Sequence, residues 1–135
     1  MSNLFIGLGA LSAFISVAAG AFGAHALKQV LDADMLTVYH TAVDYQFFHS
    51  IGLLAVGILH KTAARNCHLV AAWSMLAGTV IFSGSLYALS LTGTKWLGMI
   101  TPIGGAGFLV AWLALALGYL AVSPEKGTGQ ESTGH

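Results

Sequence analysis

The stretch of sequence that decides the fold spans residues 37–59 and reads TVYHTAVDYQFFHSIGLLAVGIL. Its second half, from Phe47 onward, is largely apolar. As a helix, however, this half covers only about 20 Å of the roughly 30 Å of hydrocarbon in a bilayer. A segment that crosses a membrane here must therefore carry Asp44, Gln46 and His49 below the surface. Polar groups at that depth are costly unless they are partnered, so they indicate either function or hydrogen bonds between helices.

The composition of the whole chain is typical of an integral membrane protein. Charged residues make up 7% of the 135 residues, against about 25% in soluble domains. The few charges lie between long apolar runs rather than within them. Five basic residues balance five acidic ones, which argues against nucleic acid as a partner. The single cysteine, Cys67, excludes an intrachain disulfide and any site with several cysteine ligands.

Four apolar segments are long enough to cross a membrane as helices, which takes about 20 residues each. The expected spans are residues 4–27, 38–60, 69–91 and 102–122. A polar stretch containing Asp32 and Asp34 precedes the second span, and either carboxylate could cap its helix. The sequence thus predicts an all-α fold, an integral membrane four-helix bundle with an interfacial amphipathic lead-in to the second transmembrane helix. Residues 1–122 form its single domain, and residues 123–135 are expected to be a disordered polar tail.

Basic residues favour one orientation of these spans. Four crossings place both termini on one side of the membrane, together with Lys61, Arg65 and Lys126. The other side carries Lys28 and Lys95. The excess of basic residues on the first side predicts that both termini are cytoplasmic. We expect the location to be the cell (inner) membrane.

Local signals mark helix ends and close packing. Gly93 is well placed as a left-handed cap after the third span. Thr101 as N-cap and Pro102 as first helical residue would open the fourth span. Small residues four positions apart let two helix backbones approach closely. The expected packing residues are Ser12, Ser16, Gly20, Ala24, Gly78, Gly104 and Gly105.

Several polar residues fall in the outer half of the membrane when positions are counted along each helix at about 1.5 Å per residue. His40 and Asp44 are one helical turn apart and could pair, and His49 lies nearer the middle of the membrane. The candidate polar cluster comprises His25, His40, Asp44, Tyr45, Gln46, His49, Ser83, Tyr87 and Thr101. The simplest role for such groups is to bond one another and fix helix register, at about 0.6 kcal/mol per bond.

Other roles remain open for this cluster. A chain of His, Asp and Tyr side chains could conduct protons or ions. His25 and His49 could hold a haem or a metal between two helices. Free amides at Gly104 and Gly105 could bind an anion. No P-loop, zinc-protease or nucleophile-elbow motif supports catalysis, so we expect a non-enzymatic protein without a cofactor.

Four segments together resemble a known family. They read GAFGAHAL (20–27), TAVDYQFFH (41–49), FSGSLYAL (82–89) and TPIGG (101–105). Over about residues 4–122 the chain is similar to a family of small four-helix membrane proteins of unknown function. That family includes bacterial YgdD- and YwdK-type inner-membrane proteins and a eukaryotic transmembrane relative. The resemblance implies four helices and a membrane location, and it brings no reaction, cofactor or catalytic residue.

The leading functional hypothesis is a small non-enzymatic multi-pass membrane protein. It would act as an accessory or structural subunit of a larger assembly or as a homo-oligomer, so its expected partners are the lipid bilayer and other membrane subunits. The alternatives are a small proton or ion conductor and a haem or metal carrier.

Overall fold

The computed structural model describes residues 1–121, and this part of the chain is helical apart from short connections. The four long helices are α1 (Ser2–His25), α2 (Ala33–Thr62), α3 (Asn66–Thr92) and α4 (Thr101–Leu120). Short 3-10 helices at Leu27–Gln29 and Lys95–Met99 precede α2 and α4. Each long helix has the length and apolar composition needed to cross a membrane, as the sequence predicts. The expected polar tail lies outside the described residues.

Helix α2 is continuous and contains both the predicted lead-in and the predicted span. It begins ahead of residue 38 because Asp32 caps it: the Asp32 carboxylate accepts a hydrogen bond from the Met35 amide at 2.8 Å. Such a cap satisfies one of the free N–H groups of the first turn. The 30 residues of α2 extend about 45 Å, more than the roughly 30 Å of bilayer hydrocarbon. Asp44 and His49 therefore lie on one unbroken helix.

The helix ends agree with the sequence at α3 and differ at α4. Gly93 follows α3 with a φ of 70°, the left-handed conformation expected of a C-terminal glycine. The prediction that Thr101 is the N-cap of α4 was wrong, since Thr101 is its first helical residue and makes no capping bond. The hydroxyl of Thr101 instead lies 2.7 Å from that of Ser85 on α3. Contact with a neighbouring helix replaces the local cap.

The helices pack in chain order, α1 on α2, α2 on α3 and α3 on α4. Helix α2 is therefore central, and its buried positions recur every three or four residues. The buried residues of α2 are Tyr39, Ala42, Val43, Gln46, His49, Ser50, Gly52, Leu53, Val56 and Gly57. Among the described residues, α1 has no extensive contact with α4, and its edge-to-face contact with α3 is between Phe5 and Trp73. One flank of α1 is thus left open.

Two glycines allow backbones to approach closely. A Cβ on Gly9 would lie 2.7 Å from the Leu54 nitrogen across the α1–α2 interface. A Cβ on Gly104 would lie 2.8 Å from the Cα of Phe82 across the α3–α4 interface. Real Cβ atoms do not make contacts this short, so a larger residue at either position would require the two helices to shift apart.

The other expected packing residues are placed as follows. Ser16 and Gly78 are buried, Ser12 and Gly20 are half-buried, and Ala24 is exposed. A Cβ on Gly105 would meet only Phe82 side-chain atoms at ordinary distances. Ala24 and Gly105 therefore lie outside the closest contacts.

Candidate functional site

Gln46 joins three helices. Its side chain is buried on the inner face of α2. The amide nitrogen donates to the Ser12 carbonyl on α1 at 3.2 Å and lies 3.4 Å from the Ser12 hydroxyl. The amide oxygen accepts a hydrogen bond from the Tyr87 hydroxyl on α3 at 2.8 Å. Both ends of the carboxamide thus have hydrogen-bond partners inside the protein. Lipid hydrocarbon could not supply such partners.

Ser50 extends these contacts one turn along α2. Its hydroxyl lies 2.6 Å from the Ser12 hydroxyl and 2.6 Å from the Gln46 carbonyl. A carbonyl can only accept and each hydroxyl has one hydrogen. When Ser50 donates to the carbonyl, Ser12 can therefore donate to Ser50. We refer to Ser12, Gln46, Ser50 and Tyr87 as the Gln46 network.

Two further bonds attach α1 to α2 beyond this network. The Ser16 hydroxyl donates to the Val43 carbonyl at 2.8 Å, and the Tyr39 hydroxyl donates to the Ala19 carbonyl at 2.8 Å. Both acceptors are backbone carbonyls of the neighbouring helix. The α1–α2 interface is thus held by polar bonds along its length as well as by small residues.

His49 points to the other side of α2, toward α4. Its Nδ1 lies 2.7 Å from the Tyr45 carbonyl, and the Trp112 indole N–H donates to its Nε2 at 3.2 Å. Since a carbonyl only accepts and an indole N–H only donates, the contacts assign the neutral tautomer with hydrogen on Nδ1. Phe108 stacks on the imidazole, with ring centroids 3.4 Å apart. His49 therefore joins α2 to α4 with both nitrogens engaged.

The remaining members of the predicted cluster do not join one site. His25 and Asp44 are exposed and His40 is half-buried. No hydrogen bond within residues 1–121 joins His40 to Asp44, although their spacing of one helical turn would allow these two to pair. The buried face of α2 passes through Gln46 and His49, so positions 40 and 44 fall toward its outer side.

The hydroxyl and phenol members of the cluster have separate environments. Tyr45 is partly exposed, with its ring stacked on Phe82 at 4.4 Å. Thr101 bonds to Ser85, which lies outside the predicted cluster. Ser83 is 1% exposed, and its hydroxyl has no partner among the described residues. Of the predicted cluster, only Gln46 and Tyr87 bond directly to each other through their side chains.

A second polar group, which the sequence analysis missed, lies where α2, α3 and α4 meet near the α2–α3 turn. His68 is fully buried, its Nε2 is 2.9 Å from the Tyr119 hydroxyl, and its ring meets that of His60 edge-on at 5.8 Å. The Arg65 guanidinium lies 4.8 Å from the centroid of the Tyr119 ring. In the sequence, this region is a basic turn flanked by two histidines. That pattern is as typical of a membrane interface as of a buried polar group.

These arrangements connect helices. Within the described residues, no three His, Cys, Asp or Glu side chains lie close enough to hold a metal ion. Metal or haem binding at His49 would require Nε2 to release the Trp112 indole. His25 is exposed at the end of α1. The contacts therefore favour a helix-joining role for the buried polar groups.

Comparison with known proteins identifies close relatives. Residues 19–105 match a family described as a protein of unknown function, DUF423. The chain is 50% identical to the UPF0382 membrane protein SSP2132 of Staphylococcus saprophyticus, over 86% of this chain and 96% of the relative. It is 44% identical to the UPF0382 membrane protein YwdK of Bacillus subtilis, over 85% and 94% of the two chains. A UPF0382 membrane protein of Haemophilus influenzae is 43% identical over 87% and 94%. No solved structure matches the chain.

Proposed function

Because the chain belongs to the DUF423 family, whose relatives are named membrane proteins, we propose that it is a non-enzymatic accessory or structural membrane subunit. It acts within a larger assembly or as a homo-oligomer. The Gln46 network is the observation that carries this proposal. Its side chains bond to neighbouring helices at 2.6–3.4 Å. The buried polar groups of α2 thus serve helix association.

The cell (inner) membrane is the proposed location, with both termini in the cytoplasm. The charge distribution supports this orientation. Lys61 lies in the last turn of α2 and Arg65 in the α2–α3 turn, whereas Lys28 and Lys95 lie in the two opposite connections. Lys126 adds a third basic residue on the side of the termini, which favours that side as cytoplasmic.

Helix α1 offers a surface for assembly. It packs against α2 along its length and leaves its outer face uncovered. Large and small residues alternate on this face at helical spacing. The residues concerned are Phe14, Ala18 and Phe22, all of them exposed. Small residues among large ones allow a second transmembrane helix to approach closely, so we place the contact with partner subunits here.

Extraction from native membranes in lipid nanodiscs, followed by native mass spectrometry, tests the proposal. We expect the tagged protein in a complex of fixed stoichiometry, with itself or with a defined membrane protein. Ala18→Leu on the outer face of α1 should reduce that complex. Ala116→Leu, at an exposed position of α4, is the matched control and should leave it intact. A lone monomer in wild-type extracts would overturn the accessory role, and so would equal effects of the two variants.

A further inference from the structure

A cleft of about 420 Å³ opens between α1 and α3, with α2 as its floor. It exists because α1 packs along α2 without extensive contact to α3. Leu8, Leu11 and Ile15 line one wall, and Leu76 and Val80 line the other. Its volume falls within the range of small-molecule sites, about 300–1,000 Å³. The cleft is therefore large enough for the body of an apolar molecule.

The floor of this cleft is polar, and one of its groups is unused. Gln46 and Tyr87 line it, but the Tyr87 hydrogen and both ends of the Gln46 amide are already engaged. Ser83 also lines the cleft, and its hydroxyl has no partner within residues 1–121. A buried hydroxyl normally has a hydrogen-bond partner. Ser83 thus supplies a free donor that an incoming acceptor atom would satisfy.

The charge of the lining restricts what can enter. None of the lining residues is Lys, Arg, Asp or Glu. A carboxylate or phosphate head would be buried there without a counter-charge, which is strongly unfavourable. A neutral acceptor such as a carbonyl oxygen carries no such cost. The apolar walls and the unused Ser83 hydroxyl together fit a neutral lipophile with one carbonyl group.

We propose that the α1–α3 cleft binds a neutral, carbonyl-bearing lipophile from the membrane. Its apolar body lies between Leu11 and Val80, and its carbonyl oxygen accepts a hydrogen bond from Ser83. This site goes beyond the accessory role and does not depend on it, because it involves the inner flank of α1 rather than the outer face. Failure of either proposal leaves the other standing.

Photo-crosslinking of the full chain in lipid nanodiscs tests the site. The probe is a long-chain methyl ketone carrying a diazirine in its chain, and the matched control is the corresponding alkane diazirine. We expect the ketone to label peptides of α1 and α3 that line the cleft, around residues 8–15 and 76–87. Excess unlabelled ketone should compete, whereas unlabelled alkane should not. Equal labelling by both probes, or labelling spread over the outer faces of the helices, would overturn the proposal.

Two variants test the hydrogen bond from Ser83 and the volume of the cleft separately. Ser83→Ala removes the donor and should reduce the preference for ketone over alkane by up to about tenfold, the effect of one hydrogen bond. Gly84→Leu should block labelling, because Gly84 lines the cleft and a Cβ there meets nothing within 4 Å. Gly7→Leu is the matched control, since Gly7 has equal space but lies outside the cleft lining. Full labelling of Gly84→Leu, or an unchanged preference in Ser83→Ala, would contradict the assignment.

Discussion

The Tyr87 hydroxyl on α3 donates to the amide oxygen of Gln46 on α2 at 2.8 Å. The nitrogen of the same amide donates to the Ser12 carbonyl on α1. The side chain of Gln46 therefore links α2 to both α1 and α3. Rotation of any of these helices by one residue, about 100°, would remove its partner from reach. The bonds therefore fix the rotation of α1 and α3 about α2, which apolar packing in lipid specifies less strongly.

Two adjacent glycines should respond in opposite ways to alanine. Gly104→Ala should destabilise the protein by about 1–3 kcal/mol, as overpacking does, because its Cβ would lie 2.8 Å from the Cα of Phe82. Gly105→Ala is the matched control, since its Cβ would be 3.7 Å from a flexible Phe82 carbon. It should be neutral or stabilising by up to about 1 kcal/mol through helix propensity. Unfolding in mixed micelles measures both variants, and equal effects would contradict the assigned α3–α4 contact.

The contacts of His49 predict its protonation pattern. Its Nδ1 faces the Tyr45 carbonyl and its Nε2 faces the Trp112 N–H. Solid-state ¹⁵N NMR of labelled protein in bilayers at neutral pH should show a protonated Nδ1 and an unprotonated Nε2. Trp112→Phe removes the donor and should shift the Nε2 resonance while leaving that of Nδ1 nearly unchanged. A doubly protonated ring, or hydrogen on Nε2 in the wild type, would show that these contacts are absent.

The conductor alternative makes a contrasting prediction. Asp44 is exposed, and no described side chain bonds to it within residues 1–121. Proton flux into liposomes should therefore be the same for the wild type, Asp44→Asn and His49→Ala. Liposomes without protein give the baseline. Flux above that baseline which falls in either variant would establish a conducting role for these side chains.

The orientation of the protein in the membrane can be tested by cysteine labelling in a Cys67→Ser background. The exposed positions Gln29 and Ala64 lie on opposite sides of the predicted topology and carry no charge, so substitution leaves the charge balance intact. A membrane-impermeant maleimide added to intact cells should label Gln29→Cys and spare Ala64→Cys. Permeabilised cells should show both labelled. The reverse pattern in intact cells would place the termini outside the cytoplasm.

Local signals in the sequence identified much of the fold. Long apolar segments indicated the four helices, the pair Asp32 and Asp34 included the cap of α2, and Gly93 marked the end of α3. These features depend on a few neighbouring residues and on simple length requirements. Local signals failed at Thr101, because its contact with Ser85 on another helix replaced the expected cap.

The polar site was less predictable because it depends on which helix faces which. Counting residues gives depth along a helix axis but not rotation about it. Asp44 and Gln46 share nearly the same depth on α2, yet one is exposed and the other buried. Ser12 looked like a packing residue and proved also to be a hydrogen-bonding partner. The buried contact of His68 with Tyr119 joins residues 51 apart in the sequence, a pairing that no local pattern indicates.

Buried polar side chains of α2 hold the helices together, and a double-mutant cycle on the bond between Gln46 and Tyr87 measures this contribution. Tyr87→Phe and Gln46→Met each remove one side of their bond with little change in shape. Unfolding in bicelles should give a favourable coupling of about 0.6 kcal/mol, and no more than about 1.7 kcal/mol. Tyr45→Phe paired with Gln46→Met is the control and should be additive within about 0.5 kcal/mol. A coupling between Tyr87 and Gln46 indistinguishable from zero, with both single variants as stable as the wild type, would show that this bond does not hold α3 to α2.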